Sequence, residues 1–557
     1  MPAYPHIKNG LSTPLPWLLA VLVLAGLAAL PVLVVAANLL APSQGTWTHL
    51  AQTVLGDYVV NSLALMGGVG LGVTLGGVGT AWLVTMCRFP GSRPLEWALL
   101  LPMAMPAYVV AYAYTGFLDY SGPLQTGLRA LFGWKSMRDY WFPDIRSLGG
   151  AITVMVMVLY PYVYMLARAA FLEQSVCVLE ASRTLGRGPW RSFFGVALPL
   201  ARASIIAGLA LALMETLNDF GTVQFFAVDT FTTGIYRTWL GMGQPAVAAQ
   251  LGAVLMMFVA VLIALERLSR GGAKSHHTTT RYRRLPRLAL TGWRAALALA
   301  FCALPVVLGF AVPAAMLAVW TVEVGLAQSF GGDFLHLAGN SLILALAAGL
   351  AAVTVAVVLA YAQRLHPGPL VRLAVRVASL GYAVPGSVIA VGIMVPLIAL
   401  DRQMAQTVER WTGASPGLLL TGTVFALVYA YMVRFLAVSA GSVEASLAKV
   451  TPSLEAAART LGCGTVAALK RVHLPMIKGS LLSATLLVFV DVMKELPATL
   501  IMRPFNFDTL ATRTFTFASD ERLASAGAPA LAIVLVGLIP VLLLSRAIAK
   551  SRPGESE

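Results

Sequence analysis

The chain has 557 residues, 58% of them hydrophobic and only 11% charged, where a soluble globular domain carries roughly 25% charge. That balance excludes a water-soluble globule and places the chain in lipid. The net charge of +15, from 39 Lys and Arg against 24 Asp and Glu, does not point to nucleic acid, because the cations collect in alternate loops rather than on one face.

The first apolar run, Trp17–Leu40, has only Lys8 before it and continues past any small-residue cleavage site, so it reads as an anchor rather than a removed signal peptide. Later runs such as Ala296–Trp320, Leu342–Tyr361 and Ala528–Leu544 each approach the ~20 residues a helix needs to cross ~30 Å of hydrocarbon. About twelve spans are expected, in an all-α integral membrane fold. Cations are dense around Arg88 and Arg93, in the Arg183, Arg187 and Arg191 loop, from Arg267 to Arg294, at Arg364, Arg372 and Arg376, around Arg459, Lys470 and Arg471, and at Arg546, Lys550 and Arg552. Ala41–Tyr58 and Thr321–Ala338 hold none. The positive-inside rule then puts the rich loops and both termini in the cytoplasm, with contact to anionic lipid as a secondary effect. Asp119–Ser147 is placed outside although it carries Arg129, Lys135, Arg138 and Arg146. Cys87, Cys177, Cys302 and Cys463 fall in membrane or cytoplasmic segments, which implies no disulfide framework. The histidines are scattered apart from His276-His277 in a linker, and no stable metal site is expected.

The chain repeats itself. Gly186 and Gly462 lie at an offset of 276, as do Leu198-Pro199 and Leu474-Pro475. Asn61-Ser62-Leu63 returns as Asn340-Ser341-Leu342 at an offset of 279, Pro106 returns as Pro385, and DTFTTGIY from Asp229 returns as DTLATRTF from Asp508. Residues 1–267 and 294–557 are therefore one six-span unit copied, joined by a basic cytoplasmic linker at 268–293. An even number of spans per copy makes the repeat parallel, about an axis along the membrane normal.

Each copy carries a polar cytoplasmic segment, LEASRTLGRGPWRSFFGVALPLARAS from Leu179 and LEAAARTLGCGTVAALKRVHLPMIKGS from Leu454. It reads as a short helix, a glycine turn, a second short helix and a proline opening the next span. The pattern E-A-A-x-x-x-G with a distal L-P resembles the coupling loop of importer-type ABC transporter permeases. Glu180, Ala181, Ser182 and Gly186, then Leu198 and Pro199, carry it in the first copy, with Ser182 in place of the second alanine. In the second, Gly462, Leu474 and Pro475 hold the register, but the glutamate position falls on Ala456, with Glu455 one residue early and Ala457 following. METLNDFGTVQFFAVDTFTTGIYRTW from Met214 and DVMKELPATLIMRPFNFDTLATRTF from Asp491 are similar to the fused, double-length permeases of the ferric-iron uptake family; thiamine and phosphonate permeases share the fused design. The resemblance implies two copies of a separate ATPase, carrying ATP and Mg, beneath Glu180–Arg191 and Glu455–Ala467, and a periplasmic binding protein outside, in a bacterial inner membrane. No phosphate-binding G-x-x-x-x-G-K-[ST] occurs in this chain, and GGAKS at Gly271–Ser275 has the wrong spacing. An ion-coupled secondary carrier is the rival from another class, but it needs no paired docking loops.

Sixteen residues beyond the matched prolines stand Glu215 and Asp491, and four further on stand Asp219 and Glu495. The i, i+4 spacing places each pair on one face of a helix, near the outer end of the fifth span of its copy. A charge near a bilayer centre costs about 2.5–3.5 kcal/mol on insertion scales, so four acids are expected to face water or a pore. Carboxylate oxygens suit hard cations, and the four are candidates for a pseudo-symmetric ring that passes a cation inward. Equally open are helix capping, binding of the delivery protein, or pairing with Lys494, Arg237 or Arg513. No catalytic constellation appears. Tyr160, Tyr162, Tyr164, Tyr429 and Tyr431 read as interface anchors, and Gly67, Gly68, Gly70, Gly72, Gly76 and Gly77 as sites of close helix approach.

Overall fold

A computed structural model describes residues 15–42, 45–173, 188–270, 287–414 and 417–550. The basic linker from 271 to 286, Cys177 and the first-copy loop with Glu180, Ala181, Ser182 and Gly186 lie outside these residues.

In hydrocarbon every backbone N–H and C=O must find a partner within the protein, which leaves a helix as the economical way across. Among the described residues eleven helices are long and apolar enough to cross: Pro16–Leu40, Leu55–Met86, Leu148–Leu172, Phe193–Asn218, Pro245–Ser269, Trp293–Val324, Leu326–Leu365, Gly386–Thr412, Val424–Leu447, Thr465–Met493 and Leu523–Leu543. The pair Ser92–Ala104 and Ala107–Phe132, bent by 91° where Pro106 begins the second member, passes the same test together and counts as a twelfth where it is taken as one span. Numbered in chain order with the bent pair third, the spans fall six to a copy. The described residues are otherwise helical and irregular, apart from a two-residue parallel pairing of Cys87–Arg88 with Leu288–Ala289. Arg287 joins it by reaching Glu96 at 3.1 Å, beside an Arg168–Glu96 contact of 2.9 Å.

Compactness groups the chain differently from the copied units. One unit joins residues up to Ala37 with Ile343–Val492; the other joins Asn38–Leu342 with Met493 onward. The opening span of each copy is thus packed among spans of the other copy. In the first unit, the first span crosses the ninth so closely that a Cβ on Gly392 would meet Pro31 Cα at 2.8 Å. Pro31 has no N–H, which releases the Leu27 carbonyl four residues earlier; Tyr429 OH donates to that carbonyl at 2.6 Å. In the second unit the seventh span rests on the twelfth and on the bent third. A π-turn at Val307–Ala311 precedes Pro313, and Tyr114 OH donates to Leu308 O at 2.6 Å. Tyr160 and Tyr164 do likewise for the broken third span, donating to Leu99 O and Glu96 O at 2.8 and 2.7 Å. Tyr160, Tyr164 and Tyr431 are fully buried, so they are interior residues rather than interface anchors. The second and fourth spans approach through glycine as expected: a Cβ on Gly77 would lie 2.7 Å from Val163 Cβ. Gly67 has open space and takes no part.

The register shared by the two copies is visible in hydrogen bonds. Asn61 Nδ2 donates to Asp229 O at 2.9 Å, and Asn340 Nδ2 donates to Asp508 O at 3.0 Å. Each carbonyl begins a short helix, Phe231–Tyr236 or Leu510–Ser519, whose first turn is closed by a threonine capping box: Thr230 N–H to Thr233 Oγ1 at 2.8 Å and Thr509 N–H to Thr512 Oγ1 at 2.9 Å. A span is thereby latched to a short helix of its own copy. Asn61→Leu and Asn340→Leu should each cost about 0.5–1.5 kcal/mol, the net worth of a hydrogen bond whose half-buried carbonyl can still meet water. Thermal unfolding of the detergent-solubilised protein checks this, with similar losses expected from the two matched variants.

Candidate transport pathway and docking loops

The second-copy polar segment opens with the helix Pro452–Thr460, with Pro452 at its start, Glu455 in the first turn and Arg459 in the last, each charge suited to its helix end. It stops at Gly462, whose φ of +79° an L side chain rarely adopts. Cys463 N–H returns to Ala458 O and Gly462 N–H to Arg459 O, both at 3.0 Å, the reciprocal pair that ends a helix at a left-handed glycine. Ala456, Ala457 and Leu461 face out, Leu461 at 84% exposure. Glu455 turns in. Arg459 Nη2 donates to its Oε1 at 2.7 Å and Arg364 Nε to its Oε2 at 3.3 Å. Arg364 also donates to Leu447 O and Val450 O at the C-terminal end of the tenth span. His473, fully buried, stands 4.0 Å from the same carboxylate. Sequence reading counted Arg364 only among the loop cations and missed its pairing with Glu455, as it missed His473; the place of Arg364 at the end of a long apolar run was the available signal.

The prolines do not open the spans. Thr465–Met493 runs through a π-turn at Leu469–His473 into Leu474-Pro475, and Pro189–Asn218 runs through a matched π-turn at Phe193–Ala197 into Leu198-Pro199. A proline inside a helix lacks a donor and its ring strikes the carbonyl four residues back. Widening the preceding turn relieves both, so the helix starts earlier than the prolines suggested.

The acid pairs also need correction. Helices end at Asn218 and Met493, so Glu215 and Asp491 are helical, but Asp219 and Glu495 are not and no pair shares one helix face. Each second acid caps the short helix that follows. Asp219 accepts from Thr222 N–H at 3.0 Å, Val223 N–H at 3.2 Å and Thr222 Oγ1 at 2.9 Å. Glu495 accepts from Ala498 N–H at 2.9 Å, Thr499 N–H at 3.1 Å and Thr499 Oγ1 at 2.7 Å. The helices so capped are Gly221–Phe225 and Pro497–Met502. Gly221 packs against both Tyr108 and Leu496: a Cβ there would touch Tyr108 Cβ, at 2.6 Å, and Leu496 Cδ2, at 2.9 Å. The segments that carry Asp219 and Glu495 therefore meet at Gly221. Arg237 is drawn elsewhere, pairing with Asp229 at 2.8 Å.

Residues 68–271 match the family described as binding-protein-dependent transport system inner membrane component. An Fe(3+)-transport system permease protein of Haemophilus influenzae is 27% identical over 497 residues, covering 88% of this chain and 90% of the relative. The chain is an ABC importer permease. A molybdenum transport system permease protein of Escherichia coli is 29% identical over 229 residues, 39% of this permease but 94% of that relative. A putative 2-aminoethylphosphonate transport system permease protein of Salmonella choleraesuis is 27% identical over 275 residues, 47% of this permease and 95% of the relative. These two are about one copy long, while this permease is double-length like the Haemophilus protein. It is a multi-pass inner-membrane transport subunit rather than an enzyme.

Removing the caps separates their two properties. Asp219→Ala and Glu495→Ala should each destabilise by about 0.5–2 kcal/mol, read as a lower thermal midpoint. Asp219→Asn and Glu495→Gln, which keep an accepting oxygen, should hold the wild-type midpoint within a degree or two.

Proposed function

We propose that this permease moves ferric iron from a periplasmic binding protein to the cytoplasm. The observation that carries the reading is the double-length match covering nine-tenths of an Fe(3+)-transport permease. Four acids at matched registers in two copies favour a cation over an oxyanion, since carboxylates attract the one and repel the other. A phosphonate is the second reading, motivated by the Salmonella relative.

ATP and Mg belong to two copies of a separate ATPase in this scheme, one under Glu180–Arg191 and one under Glu455–Ala467. The outward Ala456, Ala457 and Leu461 offer such a subunit a small-residue surface with one apolar anchor. Glu455, held by Arg364 and Arg459, carries movement of the docking helix to the eighth and tenth spans rather than contacting the ATPase. Both termini are cytoplasmic, an orientation supported by the cation-free Ala41–Tyr58 and Thr321–Ala338 loops. Closure of the ATPases on ATP then rocks the spans between outward-open and inward-open forms.

Ferric-iron uptake in cells lacking this chain should be restored by the wild type. It should be lost with Glu215, Asp219, Asp491 and Glu495 all changed to amides, although the amides preserve the caps. Phosphonate uptake in place of iron uptake by the wild type would transfer the assignment. Gly462→Pro cannot adopt the left-handed turn found there, because the proline ring holds φ on the negative side. This variant should leave an inserted chain that no longer stimulates its ATPase; normal stimulation would remove Gly462 from the coupling path.

A further inference from the structure

The helix Ala107–Leu118 carries three hydroxyls with no hydrogen-bond partner among the described residues: Tyr108 OH, Tyr112 OH and Thr115 Oγ1. Their residues are 5%, 1% and 0% exposed, so bulk water does not reach them. The spacing i, i+4, i+7 lines them along one helix face. A buried donor left unsatisfied costs about 1–3 kcal/mol, and three on one face need a physical reason. The neighbourhood shows that such groups are ordinarily satisfied. Tyr114, on the same helix, donates to Leu308 O. Thr74, Thr80 and Thr216 return their hydroxyls to the carbonyl four residues back at 2.7, 2.6 and 2.9 Å, and Thr115 does not.

The surroundings indicate what this face would take. Gly221, two residues beyond Asp219, sits against both Tyr108 and Leu496, the residue after Glu495, and both carboxylates act electrostatically on Tyr108. Tyr108 and Tyr112 have ring centroids 5.7 Å apart, and Tyr112 meets Phe225 edge-on at 4.6 Å. Arg146 lies 4.9 Å over Phe225 but is held by both oxygens of Glu521 at 2.9 Å. Tyr108 and Tyr112 thus present neutral oxygens with carboxylates nearby, and Thr115 continues that row of oxygens, chemistry for an oxygen-seeking hard cation. Among the described residues no three His, Cys, Asp or Glu side chains converge to hold a metal, which argues against storage. Conduction needs contacts favourable enough to enter and weak enough to leave, and a hydroxyl that keeps its proton is a weaker ligand than a carboxylate.

We propose that the Tyr108–Tyr112–Thr115 hydroxyl face is a transit site for the permeant trivalent cation, which draws on these neutral oxygens beside the Asp219 and Glu495 carboxylates. The proposal rests on the ferric-iron reading and adds residues to it. The test uses the complete transporter with its ATPase and binding protein in proteoliposomes, with ferric-loaded binding protein as donor. Tyr108→Phe, Tyr112→Phe and Thr115→Val remove one hydroxyl each and keep the shape. Each should slow the initial rate of iron uptake about tenfold, the equivalent of about 1.4 kcal/mol, while ATP hydrolysis stimulated by the loaded binding protein stays within about twofold of wild type. The thermal midpoint should be kept or raised, because an unsatisfied donor has gone; Tyr114→Phe, which loses a made hydrogen bond, should lower it. Uptake at the wild-type rate in all three variants would overturn the transit site and leave the iron assignment intact. A wild-type transporter that moves no iron would overturn both.

Discussion

Backbone groups released inside lipid must be taken up by the protein itself, because no water is there to do it. This permease breaks its helices repeatedly, and what holds each break open is a particular side chain. Tyr429 takes the carbonyl that Pro31 releases, Tyr114 the one beside the Val307–Ala311 π-turn, and Tyr160 and Tyr164 those of the bent third span. Asp219 and Glu495 do the same for free N–H groups at the starts of two short helices. Without these partners the straight helix would win, and a bundle of straight helices has little from which to shape a path.

The two copies solve the same problem with the same tools. Matched asparagines latch the helices Phe231–Tyr236 and Leu510–Ser519, matched π-turns precede matched prolines, and matched acids cap matched short helices. They differ in the chemistry around those devices. In the register that pairs Pro106 with Pro385, the second copy has Ser387 at the position of Tyr108. Duplication fixed the backbone, and side chains have since diverged on it.

Much of this was open to reading from the residues alone. Apolar runs located the spans because crossing hydrocarbon demands length and little charge. The repeat offsets singled out Asn61, Asn340 and the two prolines because a shared backbone preserves spacing. The helix ends at Asn218 and Met493 were not legible: i, i+4 acids are a valid helical pair until the chain turns, and the turn is set by capping bonds to residues further on. The inward aim of Glu455 was hidden as well, since it depends on Arg364, 91 residues earlier. Nor could periodicity reveal which copy a span packs among, because every span presents lipid-compatible surface. The outward tyrosine assignment failed for a related reason: a tyrosine serves an interface and an orphaned carbonyl equally well, and only the geometry of the break distinguishes them.

The seat of the first span has a consequence for biogenesis. Tyr429 follows Leu27 by 402 residues, and at ~5–20 residues per second of synthesis the Leu27 carbonyl waits about 20–80 s in the membrane before its donor exists. For that interval the first helix sits in lipid with a broken backbone bond and the surface meant for Gly392 uncovered. The nascent chain is then most vulnerable to wrong pairing and to membrane proteases. A cell that makes this permease must hold the opening helix beside the insertion machinery until most of the polypeptide has been threaded.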